Sequence, residues 1–288
     1  MSTDYVLLDQ YLGKAGIPVG YFPLVGYKLT VNSGSYALTG TSIALKTERK
    51  LAVDTGTFSL TGTSVTLKRT YAIAADSGTF VLTGTDAALK AARKLILNSG
   101  TFTLTGTNVS FKRTYILAVD NGSFSLLGTD ITFKRTYILI PESGAFNLTG
   151  SDVTLQRTYP LIAESGSFSL TGTPVNFKRT YILPASSGTF TLTGTSAKLT
   201  KGYELLSEAG NFTLTGTDVA FEIARKLSLD SGTYNLTGID ITLNLARKLI
   251  LGSGTFTLIG TDSILKAVRK ISADIGIFSL TGEPIDFW

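Results

Sequence analysis

Ser99–Thr107 reads SGTFTLTGT, and close copies of these nine residues recur along the whole chain. The first glycine of the motif falls at Gly34, Gly56, Gly78 and Gly100 and returns every 22 residues as far as Gly276. The second follows as Gly40, Gly62, Gly84 and Gly106, on to Gly282. Twelve units start from Tyr27, and no insertion interrupts them. An inserted residue would break the core that stacked neighbours share, so unbroken register marks a repeat array.

Positions in a unit are numbered 1 to 22 from Tyr27. Thr, Val, Phe, Leu and Tyr alternate with a period of two, which is strand chemistry. Stretches that look helical, such as AALKAARKLIL at 87–97, occupy the same positions as SVTLKRTYAIA and read as strands too. Phe58, Leu60, Phe80, Leu82, Phe102 and Leu104 form the predicted core, with Thr on the opposite face.

Ser-Gly at positions 7–8 reads as a two-residue hairpin loop, and Gly-Thr at 14–15 as a type II′ turn. Those loops pair position 5 with 10, 3 with 12 and 12 with 17, apolar against apolar. They also lay the position-1 tyrosine over the position-14 glycine. The fold expected is all-β: twelve 22-residue β-meanders in an elongated, staggered array, fibre-like or solenoid-like. Each unit would advance by up to roughly 26 Å, at ~3.3 Å per strand residue. Such meanders leave strand edges that other units or other chains must cover. Covering by other chains favours a homo-oligomer, with a symmetric trimer as the expectation.

Residues 27–288 are thus the array, and residues 1–26 an N-terminal cap or docking arm. The apolar, Pro- and Gly-containing GIPVGYFPLVG (16–26) carries candidate docking residues Tyr21 and Phe22. Trp288, in the closing EPIDFW, suits an end plug. The first residues show no basic segment followed by an apolar run, and no stretch is apolar enough for a membrane helix.

Chemistry is scarce. The 288 residues include neither cysteine nor histidine, which removes thiol nucleophiles, disulfides, the usual zinc ligands and histidine acid–base catalysis. Carboxylates sit mainly at turn positions 6 and 16, where Asp caps turns, and lack the dense pattern of calcium loops. No catalytic residue, metal site or cofactor is expected, and the chain does not read as an enzyme.

Positions 21 and 1 trade off. Each of eleven junctions carries one basic residue there: Arg69, Arg93, Arg113, Arg135, Arg157, Arg179, Arg225, Arg247 and Arg269, with Arg49 and Lys201 completing the set. One reading is a snorkelling cation at a strand bend, balanced by the acids of positions 6 and 16. The other is a basic stripe for an anionic ligand, which the net charge of +5 permits.

Tandem SGxFxLTGxxxxL units, as in SGTFTLTGTNVSFKRTY (Ser99–Tyr115) and its copies through to the C-terminus, resemble repeats in virion proteins of tailed bacteriophages, marine ones in particular. The staggered hairpins are also similar to the triple β-spiral of viral fibre shafts. The resemblance implies a structural virion part, a tail fibre or decoration protein, acting as a rigid spacer or adhesive surface. It implies other virion proteins as partners through residues 1–26, and host-surface polysaccharide as a possible ligand, with neither nucleic acid nor membrane. The alternative is a non-viral extracellular filament or adhesin, which polymerisation of the purified chain would favour. Outward Thr rows suit an ice-binding protein, and alternating strands an outer-membrane barrel, though the strands are short for spanning.

Overall fold

The computed structural model describes residues 25–287 except 46, 201, 223, 245–247, 267–270 and 283–284. Tyr21, Phe22 and Trp288 lie outside the described residues, while Ile285–Phe287 of the end segment pair as a strand with the coil before. The first strand, Val25–Val31, begins two residues before the expected start of the array.

The described chain is all strand and turn, wound as a parallel β-solenoid. One unit makes one coil with three faces. The first face (positions 22 to 5) is a parallel twelve-stranded sheet. The second (9–13) and third (16–19) meet at a shallow corner, which the 11-residue strands Thr101–Phe111 and Ser123–Phe133 cross without a break.

The described strands pair in parallel with their own copies one coil on. Leu95 pairs with Leu117, Phe102 with Phe124 and Val109 with Ile131, each 22 residues apart. This corrects the hairpin pairing expected within a unit: among the described residues no meander forms, and the all-β repeat array is a solenoid. Each coil therefore advances by one inter-strand spacing, ~4.8 Å, and not by a strand length. Twelve coils make a rod of roughly 55 Å on that spacing. Strand edges inside the rod are all paired by neighbouring coils, so the edge argument for an intertwined trimer falls away.

The core is built of columns. Phe58, Phe80 and Phe102 are fully buried, as are Leu60 and Leu104, and Leu82 nearly so. The position-10 rings stack from Tyr36 to Phe278; Phe124 and Phe146 lie 4.6 Å apart with planes 3° apart. Phe111 and Phe133 start a second column on the third face, 4.6 Å apart. Phe111 meets Phe124 edge-on at 5.8 Å, locking the two faces together. Burying one such ring contributes about 1.5–3 kcal/mol, and the geometry adds to it.

The glycines have a different cause from the one their turns suggested. A type II′ loop needs positive φ, yet only Gly34 and Gly282 show it among the described residues. What excludes a side chain is the coil below. A Cβ on Gly144 would sit 2.5 Å from both the Gly122 carbonyl oxygen and Val119 Cγ1. Gly238, at the other glycine corner, meets the Gly216 carbonyl oxygen at the same distance. The neighbouring position-7 hydroxyl completes the first corner: Ser99 donates its N–H and its Oγ to the Asp76 carbonyl, at 2.7 and 2.9 Å.

Alternation also breaks where the sequence seemed to preserve it. Lys112 and Arg113 are both exposed, Thr114 turns fully inward, and Tyr115 points out again before Leu117 returns to the core. The position-1 tyrosine therefore does not cover the position-14 glycine. It stands on the outer surface.

Candidate functional site

The break in alternation builds the most distinctive outer surface of the rod. At the corner between the third and first faces, positions 20 and 21 both face solvent. Stacking then raises Arg113, Arg135, Arg157 and Arg179 in one exposed column, beside Lys112, Lys134 and Lys178. Arg69 and Arg93 are exposed as well. Arg225 is described in its backbone only, and Arg247 and Arg269 lie outside the described residues.

Beside the cations runs an aromatic ladder. Tyr115 stacks on Tyr137 at 4.9 Å and 5°, and Tyr137 on Tyr159 at 5.2 Å and 3°. They are 45%, 37% and 37% exposed. Ile116, Ile138 and Ile162 lie half-buried on the same outer face. Sequence reasoning missed this ladder because it carried the period of two through the KRT corner. The signal was there: three polar residues in a row at 20–22 leave no place for strict alternation.

The middle of this stripe has no acid within its own strand segments, and Glu204 follows one coil on from Ile182. Segments 110–119, 132–141, 154–163 and 176–185 contain seven Lys and Arg and neither Asp nor Glu. Position 6 lies at a different corner, and position 16 stands four strand residues from position 20, roughly 13 Å. Charge is instead segregated into columns. Glu142 has its pKa raised by the charge of Asp120, then by burial, then by the charge of Glu164. Asp240 is raised by burial, then by Asp218 and Asp262 on either side. Asn98 relieves one such column by donating Nδ2 to Asp76 Oδ1 at 2.7 Å, and Asn108 does the same for Asp86. Among the described residues no group of three or more His, Cys, Asp or Glu side chains is placed to hold a metal ion.

The glycine corner between the second and third faces forms a second surface. A shallow open groove of about 660 Å³ runs along Gly106, Gly128, Gly150, Gly172 and Gly194, rimmed by Thr and by exposed Leu127. Glycines whose turn role was read from sequence thus also floor a groove.

No family model, curated protein or solved structure matches the chain.

Proposed function

We propose that the chain is a structural, non-catalytic protein of a bacteriophage virion, a fibre or decoration component whose solenoid is a rigid spacer and adhesive surface. The observation that carries this reading is the stack itself: the described strands keep one 22-residue register from the first coil to the last. A rod held by identical contacts resists bending, and its outer positions are free to vary. The repeat's resemblance to tailed-phage virion repeats supplies the location. Attachment is assigned to residues 1–26, and self-association to contacts between outer faces or coil ends.

The test is mass spectrometry and immunolabelling of gradient-purified particles from cells carrying the gene. Stoichiometric recovery with the particles is expected. Recovery only as free protein or in cell-surface filaments overturns the reading and favours the filament or adhesin alternative.

A second reading has one observation behind it. Parallel stacking aligns outward hydroxyls in columns, such as Thr57, Thr79 and Thr101 beside Thr61, Thr83 and Thr105. Regular hydroxyl arrays suit ordered water, so thermal hysteresis of the purified protein tests for ice binding. The outer-membrane reading loses its geometric basis, since membrane barrels are antiparallel and the described strands pair in parallel.

A further inference from the structure

We propose that the exposed Arg column and tyrosine ladder of the middle coils form a binding face for a linear acidic polysaccharide laid along the rod axis. Stacking identical cations in register is unfavourable, because like charges directly opposite on neighbouring strands repel. Arg113, Arg135, Arg157 and Arg179 are nonetheless stacked on successive coils, with no carboxylate in their segments to offset them. An anionic polymer running up the column removes that repulsion.

Three features select the polymer. The cations repeat every ~4.8 Å along the axis, close to the advance of one residue in an extended 1,4-linked sugar chain. In the two-fold extended form alternate sugars present their acid group to the column, so one acid meets every second coil. Beside the column the tyrosine ladder presents ring edges and a row of phenol groups that offer hydrogen bonds to the sugar hydroxyls. The tyrosines also cover each other's faces, with planes 3–5° apart. Nucleic-acid bases therefore find no open aromatic platform of the kind single-strand binders use. A lipid surface is disfavoured because Ile116 and Ile138 are half-buried in the sheet and Ile182, in the same column, is only 38% exposed.

The inference goes beyond the virion assignment and does not depend on it: a chain found outside virions would bind through the same face. The experiment measures binding of fluorescent alginate, a linear 1,4-linked polyuronate, to the full chain by anisotropy over a range of salt. Neutral dextran, single-stranded DNA and anionic phospholipid vesicles serve as competitors. One variant combines R113Q, R135Q, R157Q and R179Q. A second removes the same number of charges outside the four Arg-bearing middle junctions, through K50Q, K198Q, K226Q and K248Q. Circular dichroism checks that both stay folded. The face variant is expected to lose roughly tenfold or more in alginate affinity with a shallower salt dependence, and the control variant to stay within about threefold of the parent. Equal losses in both variants, no loss in either, or preference for DNA, vesicles or dextran over alginate overturns the proposal.

Discussion

Phe102 lies flat against Phe124, ring centroids 5.1 Å and planes 5° apart, although 22 residues separate them in the chain. The stack continues through Phe146, Phe168 and Phe190, each fully or almost fully buried. Removing a middle ring leaves a void between two coils that cannot close without breaking register. Phe124→Ala is therefore expected to cost about 3–5 kcal/mol. Denaturant unfolding measures it. Phe278→Ala, at the last coil where the ring is only partly buried, should cost clearly less.

Tyr234 is the flaw in this column. Its ring is fully buried, its hydroxyl has no hydrogen-bond partner, and it tilts 40° from Phe212. Burial pushes its pKa upward, as expected for a phenol in a dry core. Tyr234→Phe removes the orphan hydroxyl and keeps the ring, so it should stabilise by about 1–3 kcal/mol. A lowered thermal midpoint would show that the hydroxyl has a role in the fold.

Thr136 carries a comparable burden. It is fully buried, its Oγ1 is unpartnered, and Thr114 and Thr158 repeat the pattern on either side. Thr136→Val keeps the branched shape that a tight strand start favours. It is expected to raise stability by about 1 kcal/mol, read from the urea midpoint.

Gly144→Ala tests the close-packing account of the corners. In a hairpin turn with ordinary φ, alanine would be tolerated. Here its methyl would drive into the carbonyl of Gly122 and the side chain of Val119. The expected loss is about 1–3 kcal/mol, as for overpacking elsewhere. A neutral effect on the thermal midpoint would refute that account.

Glu142 predicts the pH response. Its native pKa is raised above 4.5 by Asp120, by burial and by Glu164. The folded state therefore takes up its proton before the unfolded chain does as pH falls. This contribution raises stability as pH drops through the native value and levels off below the unfolded one. Glu142 is exposed, so the effect is modest. Thermal midpoints from pH 7 down to about 4 should rise less in Glu142→Gln than in the parent, and the variant should be the more stable of the two at pH 7.

Much of this architecture is legible in the sequence. The inward Phe102 and Leu104, the outward Thr101 and Thr103, and the length of the coil all follow from period and register. The pairing partner did not. Position 10 is apolar, and so are both of its candidate partners: position 5 across a hairpin, and its own copy in the next unit. A pattern of period two satisfies either. The discriminating signal lay in the comparison of units, where like tends to follow like, as in Tyr115, Tyr137 and Tyr159. The basic face was half legible: its cations could be counted, but their separation from the acid columns depends on which corner each position occupies.

One coil rests on the next through the same Leu, Phe and Gly contacts wherever it stands, so the coils are interchangeable parts. Loss or duplication of one whole unit in the gene would leave every remaining interface intact and change the rod by a single strand spacing, ~4.8 Å. The molecule is in this sense a ruler with divisions, and gain or loss of whole repeats can reset its length without a new fold having to evolve.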